Sequence, residues 1–284
     1  MTTTGAPYAP FMDPRTAHPP GVSPLDPAAW LVVDPDYAPQ MAQRDRLIAD
    51  AAEIVTSATE DAGPALAEFR AVLLDHLARD GRWRVGRAAV LRPDDAETPL
   101  SLDALRLAGR LCQEDFCLLA PGADPADEHR LIAGVLCFPS RWMLSEKLGR
   151  PLTPIHRPVP GYAENLSARV NRLFAALRPD RPLMRVNWLV WPTDMLHMPQ
   201  SETAKTPVPA VPGRFWLRTE RQTLRRLPET GVVVFGIKTT VTPIEDLTPA
   251  QRAGLRAALA EKAEAEVGYS SGRDVHEAIL AALA

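Results

Sequence analysis

The sequence predicts an α+β protein in which helices flank an antiparallel sheet. Segments rich in β-branched and aromatic residues indicate strands at 114–120, 131–138, 184–191 and 231–241. Other segments repeat apolar residues at helical spacing. No glycine-rich phosphate loop follows a strand, so a phosphate-loop nucleotide site has no support. Together these features favour the α+β class.

The prolines and the apolar spacing predict the remaining elements in order. Residues 1–39 read as an extended, proline-rich N-terminal arm with one short strand at 30–33. Helices are expected over 37–58, 64–78, 102–111, 142–148 and 163–177, a short strand over 214–219, a helix or turn over 220–228, and helices over 248–267 and 274–283. The chain thus divides into an arm (1–39), a central domain (40–247) and a C-terminal helical segment (248–284).

Composition excludes several classes of function. The net charge is −3, from 32 basic and 35 acidic residues, so no whole-chain field favours nucleic acid or anionic lipid. No apolar run approaches the roughly 20 residues that span a bilayer, and the N-terminus lacks a secretory signal. The three cysteines (Cys112, Cys117 and Cys137) are expected to be buried and reduced. We therefore expect a cytoplasmic protein.

The segment TPIHRPVPGY, at 153–162, holds one histidine between prolines. Pro154 and Pro158 flank His156 and restrict the backbone around it. A neutral imidazole suits single axial ligation of haem iron. The ordinary alternative is a histidine that hydrogen-bonds a neighbouring carbonyl. The six histidines, at 18, 76, 129, 156, 197 and 276, lack helical metal-site spacing, which leaves only a cluster assembled in space.

Arginines are dense in the second half of the chain. Five fall within thirteen residues: Arg214, Arg218, Arg221, Arg225 and Arg226. Arg185 stands beside Asn187 on a predicted strand. Guanidinium groups suit carboxylates and phosphates, and haem carries two propionates. The alternative is a solvated face with local partners such as Glu220.

Several motifs together resemble the haem-dependent oxidative N-demethylases, a family that includes the haem subunit of dimethylamine monooxygenase. The segments are EDFCLLA (114–120), CFPSRWMLSEKLGRPLTPIHRPVPGY (137–162), RVNW (185–188) and RTERQTLRRLPETGVVVFGIKT (218–239), in an order that extends from about residue 24 to 241. The resemblance implies a PAS-like sheet in the 40–247 domain and a b-type haem. It also implies oxygen-dependent demethylation of a small methylated secondary amine with release of formaldehyde. Electrons would come from NADPH through separate flavin and iron–sulfur proteins.

The resemblance assigns residues to the haem. His156 becomes the expected axial ligand, with His197 as its competitor. Arg218 and Arg221 become candidates for propionate contacts, with Gln222 and Arg185 as second choices. Thiolate ligation by a cysteine is a further alternative, which lacks a glycine-rich ligand loop around Cys117 or Cys137.

Substrate contacts follow from the charge of a protonated amine. A carboxylate and an aromatic wall favour such a cation. Glu220 and Asp115 are the candidate catalytic residues, and Glu114 and Trp188 are further candidates for substrate contact.

Two other functions remain open from the sequence. The same fold would support a haem sensor without turnover. A structural or partner-binding domain without haem, with proline-rich interfaces, is the third hypothesis.

Overall fold

The computed structural model describes residues 5–16, 20–124, 127–204, 206–270 and 272–284. Its main sheet has seven strands, all paired antiparallel, in the order β1-β8-β9-β10-β6-β7-β2. A small antiparallel sheet contains β3, β4 and β5. The strands are β1 (Ser23–Pro24), β2 (Thr56–Ala58), β3 (Arg84–Val85), β4 (Ala89–Leu91), β5 (Glu97–Pro99), β6 (Asp115–Ala120), β7 (Arg130–Val135), β8 (Leu183–Trp191), β9 (Trp216–Arg226) and β10 (Val233–Pro243).

Helices precede, interrupt and follow the main sheet. They are α1 (Tyr37–Asp50), α2 (Ala52–Val55), α3 (Gly63–Asp80), α4 (Ala104–Leu111), α5 (Leu144–Lys147), α6 (Leu152–Ile155), α7 (Ser167–Ala176), α8 (Pro249–Ala260), α9 (Glu264–Ser270) and α10 (Arg273–Ala282). A π-helical turn at Tyr162–Leu166 leads into α7. The α+β class and the antiparallel sheet are confirmed, whereas the PAS likeness stays a prediction.

The main sheet has two covered faces. One face, here called the arm face, packs against the N-terminal arm, α1, α3 and the C-terminal helices. Its largest apolar cluster joins Trp30 and Phe69 to Phe116 and Val234 of the sheet. The opposite face, here called the α7 face, packs against α5, α6 and α7 through a smaller cluster: Cys117, Leu119, Leu131, Leu136, Leu144, Leu152, Phe174, Leu177, Leu224 and Val233.

Two expected elements are wrong. Residues 220–228 do not start a helix, because 220–226 complete the eleven-residue strand β9 between two hydrogen-bonding neighbours. Residues 30–33 form no strand; a 3-10 turn at Pro27–Ala29 precedes them, and β1 lies earlier in the arm. The expected 37–58 helix ends at Asp50, and its last residues enter β2.

The arm lies against the domain rather than apart from it. Leu25 donates its backbone N–H to the carbonyl oxygen of Pro182 at 2.9 Å. Residues 1–4 and 17–19 of the arm, including His18, are outside the described residues. The division at 39 and 247 stays a prediction. Among the residues described, no helix is both long and apolar enough to cross a membrane.

Candidate active site

Strand β9 distributes the predicted site residues over both faces of the sheet. Side chains alternate along a strand, and the pairing with β8 and β10 places Arg218, Glu220 and Gln222 on the α7 face. Arg221 lies between them in sequence and points to the arm face. The alternation along β9 thus separates two residues that were expected to act together.

Four polar side chains of the α7 face form a group that we call the sheet cluster: Arg185, Asn187, Glu220 and Gln222. Arg185 Nη1 donates to Gln222 Oε1 at 3.2 Å. Gln222 Nε2 donates to Glu220 Oε2 at 3.2 Å, and Asn187 Nδ2 donates to the same oxygen at 3.4 Å. The cluster arises because β8 and β9 pair Arg185 with Gln222 and Asn187 with Glu220.

Arg185 has unused donor capacity. Its Nε is buried and has no hydrogen-bond partner among the described residues. Burial lowers the pKa of Arg185, and the negative charge of Glu220 opposes that shift. A buried guanidinium N–H without an acceptor is costly. An anionic group placed against Arg185 would remove that cost.

His156 lies at the end of α6, where its ring is fixed on two sides. Nδ1 donates to the carbonyl oxygen of Leu152 at 2.8 Å. The ring stacks on Tyr162, with centroids 4.3 Å apart and planes at 11°. Pro154 sits inside this single helical turn, which ends at Ile155. The segment is therefore a short helical turn and not fully irregular.

The protonation state of His156 suits a metal ligand. Burial lowers the pKa of His156, and the positive charges of Lys147 and Arg185 lower it further. The hydrogen bond to Leu152 acts in the opposite direction. The ring is neutral near pH 7, and a carbonyl can only accept, so the proton is on Nδ1. That leaves the Nε2 lone pair available. A backbone carbonyl on the second ring nitrogen is the usual support of a ligating histidine.

A network behind His156 holds α6 against α7. The carboxylate of Glu128 accepts from the backbone N–H of Thr153 at 2.8 Å and from Asn171 Nδ2 at 3.1 Å. Lys147 is buried and donates to the carbonyl oxygen of Ile155 at 2.6 Å. Lys147 also pairs with Glu202, which lies in the proline-rich segment after β8. These contacts fix the backbone of α6 directly before His156.

His197 is supported in a similar way. Its Nδ1 donates to the carbonyl oxygen of Cys137 at 2.7 Å. Met198 next to it donates its N–H to the carbonyl oxygen of Pro139 at 3.2 Å. Hydrogen bonding alone therefore does not separate His197 from His156 as a ligand. The stacked ring and the nearby positive charge of Arg185 distinguish His156.

Arg218 connects the sheet to two loops. The side chain is buried, and its Nη2 donates to the carbonyl oxygen of Phe138 at 2.7 Å. Its Nη1 donates to the carbonyl oxygen of Leu196 at 3.2 Å, and its Nε lies 3.4 Å from Glu220 Oε1. Burial lowers its pKa. Arg218 thus lies on the face of the sheet cluster with its donors engaged within the protein.

Arg221 and Asp115 are engaged in the core. Arg221 donates to the backbone carbonyls of Ala29 and Trp30 on the arm face, at 2.5 and 3.1 Å. Asp115 forms a buried ion pair with Arg44 at 2.7 Å. The Asp115 carboxylate also accepts from two backbone N–H groups, those of 137 and 138, at 2.7 and 2.8 Å. These placements favour structural roles for both.

The remaining candidates also lie away from the sheet cluster or in apolar surroundings. Glu114 lies beneath the arm, where it accepts from the N–H of Val32 at 2.9 Å and burial raises its pKa. Trp188 is on the arm face, between the ring of Phe11 and the ammonium group of Lys262. Three buried thiols (Cys112, Cys117 and Cys137) are free; burial raises the pKa of Cys117 and Cys137 to about 12, which disfavours a thiolate.

Sequence reasoning missed the residues that support His156. Tyr162 closes the quoted motif, but nothing in the spacing indicated that its ring stacks on the imidazole. Glu128 and Lys147 come from other segments, and only the fold brings them to α6. The sequence indicated only the restricted, proline-flanked backbone around His156.

Open clefts occur elsewhere on the molecule. One of about 530 Å³ lies between the arm and the domain, beside Tyr8, Arg82 and Arg221. Another of about 560 Å³ lies beside β2 and α4. Neither includes the sheet cluster or His156. Within the described ranges, no three His, Cys, Asp or Glu side chains group as a metal site. Ligation of haem iron by one imidazole does not need such a group.

One family model matches almost the whole chain. It is described as haem-dependent oxidative N-demethylase, alpha subunit-like, and it matches residues 21–280. The chain belongs to this family. The resemblance carried by the sequence motifs is thereby confirmed, and the α subunit-like chain is expected to depend on haem. Its substrate and reaction are a separate question.

The residues present fit a haem group. His156 offers a neutral imidazole with a free Nε2, and single imidazole ligation is common for haem iron. Arg185, close enough for its charge to lower the pKa of His156, offers a buried N–H without an acceptor. A propionate is an acceptor of the right charge. The α7 face therefore carries groups whose chemistry suits both kinds of contact.

Proposed function

We propose that the chain is a haem-dependent monooxygenase that removes a methyl group from a small secondary amine. The observation that carries the proposal is the neutral, Nδ1-anchored imidazole of His156 near Arg185, whose buried Nε lacks an acceptor among the described residues. Family membership supports haem dependence and oxidative N-demethylation as the type of chemistry. Dimethylamine is the simplest substrate of this kind.

Each residue of the site has a role in this proposal. His156 would ligate the iron through Nε2, with the Leu152 carbonyl fixing the tautomer. Arg185 would hold a propionate, and Gln222 would orient its guanidinium. Bound haem would supply the iron at which oxygen is activated. Glu220, which accepts from two neutral amides, would accept from the substrate ammonium in place of one of them.

The overall reaction balances with an external electron source. One oxygen molecule, two electrons and two protons convert the N-methyl group to N-hydroxymethyl and water. The hydroxymethyl amine then breaks its C–N bond and gives formaldehyde and the demethylated amine. The chain has no phosphate-binding glycine motif. We therefore propose that electrons from NADPH arrive through separate flavin and iron–sulfur proteins.

The three free, buried cysteines suit a reducing compartment. We accordingly propose a cytoplasmic location.

An absorption spectrum followed by a turnover assay tests the function. The purified protein, supplied with haem, should develop a Soret band, and with reductant, oxygen and dimethylamine it should release formaldehyde. Trimethylamine and methylamine test the substrate class. A haem spectrum without turnover of any amine would favour the sensor hypothesis. A protein that takes up no haem would exclude both.

A further inference from the structure

One stretch of the chain is unusually basic and exposed. Residues 149–181 contain six of the 32 basic residues and only two of the 35 acidic ones, Glu164 and Asp180. All six are exposed arginines: Arg150, Arg157, Arg169, Arg172, Arg178 and Arg181. We call these six arginines, of which Arg169 and Arg172 lie one turn apart on α7, the α7 patch. It contrasts with a chain that is slightly acidic as a whole.

Much of this charge is uncompensated. Arg178 and Arg181 share Asp180, at 3.2 and 3.8 Å. Arg157 pairs with Glu202 at 3.1 Å. The other three, Arg150, Arg169 and Arg172, have no carboxylate within 4.0 Å in the part of the chain that the structure describes. Exposed charges of one sign without partners give a positive local potential that attracts an acidic partner.

The α7 patch borders the segment that carries His156. Arg157 is the next residue after the imidazole. Helix α7 is tied to α6 through Glu128, which bonds both Asn171 and Thr153. On its inner side, α7 packs Phe174 against the α7 face. A partner seated on the patch would therefore approach the proposed haem ligand from outside.

The proposed reaction consumes two electrons, which in the proposed function arrive from separate proteins. Electron transfer weakens steeply with distance, so the donor must dock near the haem. We propose that the α7 patch is the docking surface for an acidic electron-donor protein, an inference that rests on the proposed function. Opposite charge on donor and patch would speed encounter and set orientation.

The surface composition favours a protein over a membrane. The exposed large hydrophobic residues of the described chain all lie outside 149–181; they are Met12, Ile54, Val85, Met195 and Val211. Interfacial membrane helices need an apolar face toward the lipid beside their basic residues. On α7 the apolar face is already used against the sheet.

Charge reversal with a matched control tests the proposal. Arg169→Glu with Arg172→Glu changes the patch, and Arg46→Glu with Arg87→Glu makes the same charge change at exposed residues of α1 and the β3–β4 turn. The probe is an oxidised, acidic plant-type [2Fe–2S] ferredoxin. Binding should weaken about tenfold in the patch variant at about 0.01 M ionic strength and little in the control. The difference should shrink at about 0.15 M, where the Debye length is roughly 8 Å.

Further measurements distinguish a failure of the proposed function from a failure of the docking proposal. Binding needs no haem, so a protein that fails to take up haem would disprove the proposed function and still give a result for the patch. With haem present, reduction by reduced ferredoxin should slow in the patch variant, whereas reduction by dithionite should not. Equal weakening in both variants, absence of ferredoxin binding by the parent protein, or preferential binding to phosphatidylglycerol vesicles would overturn the proposal. Circular dichroism checks that both variants fold.

Discussion

At the scale of single residues, His156 and His197 share a hydrogen-bond pattern but differ in their surroundings. Both donate Nδ1 to a backbone carbonyl. Of the two, His156 also stacks on an aromatic ring, and the charge of Arg185 helps to lower the pKa of His156. A ligand needs a fixed direction as well as a free lone pair. These differences make His156 the residue on which the haem proposal depends.

Replacement of His156 by alanine should abolish stable haem binding with little loss of fold. The side chain is partly buried and makes one hydrogen bond, so the stability cost should be about 1 kcal/mol. Haem content by pyridine haemochrome and the Soret position measure the effect, and added imidazole should partly restore the band. His197→Ala is the matched control. Loss of haem in that variant alone would move the ligand to His197.

The two arginines on opposite faces of the sheet should respond differently to removal. Arg185→Met takes away the unsatisfied guanidinium and should raise the haem dissociation rate, because a charge-assisted pair contributes about 1.5–3 kcal/mol. Arg221→Met breaks bonds to Ala29 and Trp30 and should lower the free energy of unfolding by a similar amount. Haem transfer to apomyoglobin measures the haem dissociation rate, and urea denaturation measures the free energy of unfolding. Faster haem loss only in Arg221→Met would reverse our assignment.

At the scale of elements, the sequence predicted the sheet better than the site. Strand β10 is recognisable because β-branched residues fill it, several of them at positions paired with both β6 and β9. Strand β9 contains five charged residues, and the composition of its second half, from residue 220, suggested a helix or turn. Its arginines are tolerated there because backbone carbonyls of the arm and of distant loops accept from them. No local pattern reveals such partners.

The site depended on that misassigned strand. Alternation along β9 decides that Glu220 and Gln222 join Arg185 and that Arg221 does not. Once the strand is known, the division follows directly. The position of α6 is harder to predict, because its contacts are not adjacent in sequence. Glu128 accepts from Thr153, 25 residues away, and Lys147 donates to Ile155, eight residues away.

The connection between α6 and α7 should control the order of the His156 segment. Glu128→Ala removes acceptors of Thr153 and Asn171, so backbone amides of 153–157 should exchange hydrogen faster. The haem affinity of the Glu128→Ala variant should also fall, because the imidazole of His156 is no longer held in one direction. Hydrogen exchange by mass spectrometry measures the first effect. Glu164→Ala, an exposed carboxylate on the π-helical turn, is the control, and equal exchange in the two variants would remove Glu128 from this role.

At the scale of the whole molecule, buried neutral histidines link stability to pH. Burial lowers the pKa of His129 from 6.5 to about 4, and burial also lowers the pKa of His76 and His156. In the unfolded chain each takes up a proton near pH 6.5, whereas the folded protein resists protonation. Stability should therefore be constant above about pH 7 and fall as the pH drops from about 6.5 toward 4.

His129 should account for a measurable part of this fall. A pKa lowered to about 4 corresponds to at most about 3 kcal/mol, reached near pH 4. His129 packs against Phe174, and its Nε2 has no partner among the described residues, so His129→Met keeps an apolar contact and removes the titration. Urea denaturation at pH 7.5, 6, 5 and 4.5 should give a shallower decline in the variant. Parallel curves for the two proteins would mean that His129 is protonated in the folded state. The acid sensitivity would then arise from His76 and His156, and below about pH 4.5 also from carboxylates whose pKa is lowered in the fold, such as Glu128 and Asp80.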